Sequence, residues 1–465
     1  MLSLLRTKVL HLKPRALDPF SHGCWFSMSH PGAASEITSS INPYSFTVSY
    51  LQKSCGLPLQ SAISASKKLK IETSDNPDSV LNLLRTHGLT QTHIRNIIMS
   101  RPVLLLADVE TKLRPNIELF ESLGFTSSNV ANLLSKDPRV LEIDAYNVVE
   151  FFRAHGFSRE QVKALTMKRP LLYLFNANKN FEPKLEFFKS LGFTDLDIAK
   201  LLSTEPYILE RSLENQIIPC VQVLMRILGT KEDVIKVIKA CYRILELNLE
   251  NMLEPNILVL MKHGVPESIV LRILMIHPRT LLLRTHRFSE IVDEVVKLGF
   301  NPNNLLFVLA VRALGLASKK LWEEKVEAYR NFGLSKDEIY LAFKLQPMCM
   351  SASVKKIKKL LDFYVNKLNV KPSAISRNPN VLLFSLEKRI IPRCSVLQLL
   401  VSAGLVEKEF SILPVLKLSG KSFEERWVRK YQQVLPDVVK AHQGKIEFQE
   451  FLILMHCSDK DVIES

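Results

Sequence analysis

The sequence predicts an all-α protein, a right- or left-handed superhelical α-solenoid of helix-pair repeats with short 3₁₀ turns. Three observations predict this fold class: a composition that favours helices, a recurring proline marker, and a glycine marker interleaved with it. Of the 465 residues, 47% are hydrophobic and only 15 are glycine. This composition supplies a large core and disfavours a β-sandwich or a β-barrel.

The proline marker is a proline followed within a few residues by apolar residues, as in "TEPYILE" at residue 204. Proline lacks the amide donor that a helix needs and moves its predecessor out of helical geometry, so each copy predicts the end of a helix. A step of 36 residues adds two slots without proline, at Tyr242 and Leu314. These nine positions are called proline slots below, and seven of them are occupied by Pro102, Pro138, Pro170, Pro206, Pro278, Pro347 and Pro379.

The glycine marker predicts where the other helix of each pair ends. Glycine adopts the left-handed backbone conformation of a helix C-terminus without steric cost, and asparagine does so less readily. Ser158 with Gln161 and Ser335 with Glu338 match the capping box that starts a new helix shortly afterwards. One helix pair cannot bury its own apolar stripe, so the pairs must stack. The stop positions are Gly88, Gly124, Gly156, Gly192, Gly229, Gly264, Gly299, Gly333, the exceptional Asn369, and Gly404.

Four segments are expected along the chain. Residues 1–40 are predicted to be a disordered organellar transit peptide, because "MLSLLRTKVLHLKPRAL" carries four Lys/Arg and no acid, and its basic residues interrupt the apolar stretch that a secretory signal needs. The expected compartment is the mitochondrion, with the chloroplast as the alternative. Residues 41–79 are predicted to be an N-terminal helical cap, residues 80–415 the solenoid, and residues 416–465 a C-terminal helical cap that covers its last apolar face.

The net charge of +15 favours a polyanionic partner. Basic residues lie within two positions of seven of the nine proline slots, and repeating turns are expected to align them in a strip that follows a phosphate backbone. The alternative is a set of solvated residues that only complement helix dipoles. The predicted nucleic-acid-binding residues are Arg101, Arg139, Arg169, Arg243, Arg279, Arg312 and Arg377, with a second cluster of Lys355, Lys356, Lys388 and Arg389 at the start of the last two long helices.

No motif for catalysis or cofactor binding is present in the sequence. It contains no P-loop, no dinucleotide-binding glycine fingerprint, no H-E-x-x-H and no G-x-S-x-G. Its seven cysteines are widely spaced without a C-x-x-C pair, which favours neither a disulfide framework nor zinc. Its apolar runs are too short for a membrane span. The prediction is a monomer that is not an enzyme, uses no cofactor or metal, binds nucleic acid and does not enter a membrane.

The repeat itself, "xP-x-(I/V/L)-L" closing a short helix and "LGF" closing a longer one, resembles the mitochondrial transcription termination factor (mTERF) family over residues 80 to about 410. Residues 51–90 and "RSLENQIIP" at residue 211 are similar to the plant branch of that family. The resemblance implies an all-α superhelix that acts in an organelle on double-stranded DNA or RNA, in transcription initiation or termination, intron splicing or ribosomal RNA maturation. The competing hypothesis is a protein-interaction scaffold of an organellar ribonucleoprotein or transcription complex.

Overall fold

The computed structural model describes residues 45–407 and 410–449. The predicted transit peptide at residues 1–40 and the last residues of the predicted C-terminal cap lie outside these ranges. Within them every regular element is helical, and no helix is both long and apolar enough to cross a membrane. The described residues divide into two compact units, called unit 1 (those up to Leu249) and unit 2 (those from Glu250).

Unit 1 consists of helices and short turns. Its α-helices are Phe46–Lys53, Leu59–Ser66, Asp75–Thr86, Gln91–Ser100, Arg114–Ser122, Ser127–Lys136, Ala145–Ala154, Arg159–Lys168, Ala177–Asn180, Glu182–Leu191, Asp195–Thr204, Ile218–Leu228 and Lys231–Ala240. Its 3₁₀ turns are Pro102–Leu106, Pro138–Leu141, Pro170–Leu174, Pro206–Glu210 and Tyr242–Glu246.

Unit 2 has the same kinds of element. The helix Leu249–Lys262 starts at the last residue of unit 1 and continues into unit 2. The α-helices that follow are Glu267–Ile276, Thr285–Lys297, Leu305–Gly315, Lys319–Arg330, Lys336–Leu345, Val354–Asp362, Pro372–Arg377, Ile391–Ser402, Ile412–Lys417, Gly420–Phe423 and Asp437–His442. Its 3₁₀ turns are Pro278–Leu281, Pro347–Ser351 and Pro379–Leu383.

The helix pairs stack on their neighbours along the chain, which confirms the predicted all-α repeat solenoid. The helix that precedes a proline slot packs against the corresponding helix of the next repeat. In unit 1 this series is Gln91–Ser100, Ser127–Lys136, Arg159–Lys168 and Asp195–Thr204, and in unit 2 it is Glu267–Ile276, Leu305–Gly315, Lys336–Leu345 and Pro372–Arg377.

Both sequence markers act as predicted, with one exception. All ten stop positions have a left-handed backbone, including Asn369 at a φ of 52°. Each of the seven marker prolines opens a 3₁₀ turn, and Tyr242 does so without proline. The prediction of a turn at Leu314 is wrong, because the helix Leu305–Gly315 continues through that slot. No proline removes an amide there, and the Leu316 amide still donates to the Arg312 carbonyl at 3.0 Å.

The long helices of several repeats begin with a π-helical turn. Examples are Val109–Leu113 before Pro115 and Leu213–Ile217 before Pro219. A proline near the start of a helix cannot donate to the carbonyl four residues earlier, and its ring crowds that carbonyl. The wider π turn, with hydrogen bonds from residue i to residue i+5, leaves space for the ring. Pro219 therefore marks the first turn of a long helix, whereas Pro206 starts a 3₁₀ turn.

A polar side chain on the long helix of one repeat donates to the carbonyls that end the 3₁₀ turn of the next repeat. We call this contact the carbonyl clasp. Asn116 donates to the Leu141 and Ile143 carbonyls at 2.9 and 2.7 Å. The clasp connects consecutive repeats, because Asn116 lies on the long helix of one repeat and both carbonyls lie at or just after the turn of the next. The other clasp donors are Asn76 and Gln216 in unit 1, and Asn256, Lys325 and Lys356 in unit 2. Arg393 makes a similar contact with the Leu416 and Leu418 carbonyls, at the end of the α-helix Ile412–Lys417.

Candidate nucleic-acid interface

Three of the predicted arginines at the proline slots of unit 1 are neutralised by carboxylates. Arg101 Nε lies 2.8 Å from Glu142 Oε2, on the turn of the next repeat. Arg139 pairs with Asp137 through its guanidinium at 2.7 Å. The Arg139 guanidinium lowers the pKa of Asp137 through hydrogen bonds and charge. Arg101 connects two turns and Arg139 stabilises its own turn. Because each guanidinium is paired with a carboxylate, it attracts an external anion less strongly.

Arg169 repeats this arrangement with a stacking contact in addition. Its Nε donates to Glu210 Oε1 at 2.7 Å, and its guanidinium lies 4.5 Å from the ring centroid of Tyr207. Tyr207 is 41% exposed, whereas Tyr173, near the preceding turn, is buried. Arg243 is also exposed, and no ion pair with it forms among the described residues of unit 1.

Unit 2 lacks this neutralisation at the turn Pro278–Leu281. His277 precedes the proline at the place that Asp137 occupies in unit 1, and Leu282 stands where Glu142 and Glu210 stand relative to their proline slots. Among the residues that the structure describes, no carboxylate forms an ion pair with Arg279 or Arg312. Burial and the charge of Arg279 lower the pKa of Arg312. Two predicted arginines thus lie close together with uncompensated charge.

A lysine-rich helix provides a second uncompensated surface. Lys355 and Lys358 of the helix Val354–Asp362 are exposed, as is Lys388 on the π turn Leu386–Ile390 of the next repeat. None of the three forms an ion pair among the described residues of unit 2. Their neighbour Ile357 is fully buried, which fixes the orientation of the helix. We call Lys355, Lys358 and Lys388 the lysine surface.

The other predicted residues of unit 2 contact the protein itself. Lys356 Nζ donates to the Leu383 carbonyl at 2.9 Å, and Arg389 donates to the Leu418 carbonyl at 2.8 Å. Burial lowers the pKa of Arg389. Arg377 is exposed at the end of its short helix and is engaged in a contact of its own. The predicted set therefore contains both structural residues and uncompensated cations, and the sequence does not separate them.

Acidification is expected to destabilise unit 2 through His277. Burial, and then the charge of Arg312, lower the pKa of this imidazole in the folded protein. The unfolded chain takes up the proton first, at about pH 6.5, so stability is lost as pH falls through that value toward the folded pKa. The midpoint of urea unfolding should therefore fall less for His277→Gln than for the parent protein between about pH 7.5 and pH 5.5.

His286→Gln is the matched control for that measurement, because the His286 side chain is 88% exposed. It should follow the pH dependence of the parent protein. If His277→Gln also follows it, the histidine does not titrate in the proposed environment.

The stacked helix pairs with left-handed stops and 3₁₀ turns define an α-helical tandem-repeat protein. A family model for mTERF matches residues 81–147, 149–312 and 312–424. These ranges contain most of the chain, so the protein belongs to the mTERF family, a family of helical-repeat proteins that bind nucleic acid. No curated protein matches the chain.

Proposed function

We propose that this protein binds nucleic acid, double-stranded DNA or RNA, in an organelle and regulates expression of the organellar genome without catalysing a reaction. Its membership of the mTERF family supports this function. The observation that carries the proposal is the lysine surface, because exposed lysines without carboxylate partners are available to phosphate oxygens. The arginines paired in unit 1 contribute less.

The proposal includes a finer description. The basic N-terminal sequence supports import into a mitochondrion, or alternatively a chloroplast, and the segments at residues 51–90 and 211–219 support a plant-type member of the family. Transcription termination or initiation and intron splicing are the roles proposed for a monomer that occupies its target and blocks or assists other machinery. A scaffold for organellar proteins is the alternative, which the binding experiment tests.

Binding should be measured by fluorescence anisotropy of labelled duplex DNA and RNA against the full chain at several salt concentrations. Each phosphate that the protein neutralises contributes about −0.9 to the slope of log affinity against log salt for duplex DNA, so removing one contact flattens the slope by about that amount. The variant Lys355→Gln, Lys358→Gln, Lys388→Gln is expected to weaken binding by about 10- to 100-fold at low salt and to flatten the slope by about 2 to 3.

The matched control removes the same charge from the glycine-stop ends of unit 2, with Lys262→Gln, Lys297→Gln and Lys336→Gln. These three lysines are also exposed. Equal losses of affinity in the two triple variants would show general electrostatic attraction rather than binding at the lysine surface. A parent protein that binds neither DNA nor RNA at low salt would refute the proposed function and leave the scaffold hypothesis.

A further inference from the structure

The turn Pro278–Leu281 differs from the comparable turns of unit 1 in its lack of acid. In unit 1, an arginine directly before a slot proline pairs with a glutamate at the fourth position after the next slot. The arginine directly after a slot proline pairs with the aspartate directly before that proline. In unit 2 the corresponding positions are His277 and Leu282, and the fourth position after the next slot is Ser318. Neither leucine nor serine carries a charge that would neutralise Arg279 or Arg312.

The packing of the helices brings the two arginines and the histidine of this region together. Arg312 lies in the last turn of the helix Leu305–Gly315, which contacts both the helix Glu267–Ile276 and the turn Pro278–Leu281. His277 caps that first helix, and Arg279 is the second residue of the turn. The Arg312 Nε atom is buried and has no hydrogen-bond partner among the described residues.

An unpartnered guanidinium N–H inside a protein is energetically unfavourable, and a second guanidinium beside it adds like-charge repulsion. Folding tolerates this arrangement only because the rest of unit 2 stabilises it. A bound anion would accept hydrogen bonds from the guanidinium groups and offset the repulsion. Among anions, a phosphate suits two arginines best, since its tetrahedral oxygens accept bidentate hydrogen bonds from each.

We propose that His277, Arg279 and Arg312 form a site for one phosphate group of a nucleic-acid backbone. The inference rests on the proposed function, since the proposed source of the phosphate is the bound DNA or RNA. Free inorganic phosphate carries the same chemistry and is used as the probe. The site lies in unit 2, and Arg139 of unit 1 is excluded from an equivalent role because Asp137 already occupies its guanidinium.

The site makes two predictions of opposite sign for one substitution. Arg279→Gln removes like-charge repulsion from Arg312, so the phosphate-free protein should unfold at a higher temperature than the parent. The same change removes one of the groups that hold the anion, so the affinity for phosphate should fall about tenfold. If Arg279 had a purely structural role, its substitution would lower the Tm of the phosphate-free protein. A higher Tm together with a lower affinity for phosphate would then not be observed.

Thermal unfolding of the full chain should be followed by circular dichroism in inorganic phosphate and in chloride at equal ionic strength. Phosphate stabilises many proteins by exclusion from their surface, so the informative quantity is the difference between variants. The phosphate-induced rise in Tm should be reduced in Arg279→Gln and Arg312→Gln. It should persist in the control Arg139→Gln, which loses a paired arginine.

The nucleic-acid experiment separates the failure of this site from the failure of the proposed function. Arg279→Gln should flatten the salt slope for duplex DNA by about 1, and Arg139→Gln should flatten it less. A phosphate effect on Tm without any nucleic-acid binding would support the site and refute the proposed function. Binding of nucleic acid with unchanged phosphate response and salt slope in Arg279→Gln would refute the site alone.

Discussion

Phe152→Ala is expected to lower the free energy of unfolding of unit 1 by about 4 kcal/mol. The Phe152 side chain is fully buried. Its ring centroid lies 4.9 Å from that of Phe157 and 5.7 Å from that of Phe181, the residue directly before the helix Glu182–Leu191 of the next repeat. Truncation would leave a cavity between two repeats that rigid neighbouring rings cannot fill.

The measurement is urea unfolding followed by circular dichroism, with hydrogen exchange to locate the loss. Amides of the helices Ala145–Ala154 and Glu182–Leu191 should exchange faster, since repeats are stabilised mainly by their neighbours. Phe187→Ala is the control, because Phe187 is only partly buried and should cost about 1 kcal/mol. Equal losses in the two variants would mean that Phe152 is not a central core residue.

The glycine and proline markers could be predicted because each acts through a single residue. A left-handed stop needs only a residue that tolerates positive φ, and even the unusual stop at Asn369 forms. A proline turn needs only a missing amide donor. The exception at Leu314 follows the same reasoning, since neither a proline nor another local signal ends the helix before Gly315.

Contacts between repeats could not be predicted in the same way. The carbonyl clasp joins a side chain to backbone oxygens about 25 to 30 residues later, and every residue supplies such an oxygen. The ion pairs of Arg101 and Arg169 could not be predicted from the residues within two positions of each slot, because their partner carboxylates lie on the turn of the next repeat. A signal was available, since Glu142, Glu210 and Glu246 each occupy the fourth position after a proline slot. The turn that contains Arg279 differs, because Leu282 occupies this fourth position and carries no carboxylate.

Asn116→Ala, the second large effect, is expected to lower the stability of unit 1 by about 3 kcal/mol. Asn116 is only 6% exposed. Besides donating to Leu141 and Ile143, its amide oxygen accepts from the Ala145 amide at 3.3 Å. Alanine would remove the side-chain donor of the Leu141 carbonyl in a buried region, and an unsatisfied group there costs about 1 to 3 kcal/mol before water enters. The Ile143 carbonyl and the Ala145 amide would each lose one contact and keep only their mutual hydrogen bond of 3.1 Å.

The control for this substitution is Asn82→Ala, on the exposed face of the helix Asp75–Thr86. Alanine is the better helix former, so that variant should be neutral or slightly more stable. Hydrogen exchange should locate the Asn116→Ala effect at the turn Pro138–Leu141, because the clasp connects that turn to the preceding repeat. If the two variants unfold at the same urea concentration, the clasp contributes nothing measurable. If only Asn116→Ala is destabilised, these polar contacts, together with the apolar core, hold consecutive repeats in register.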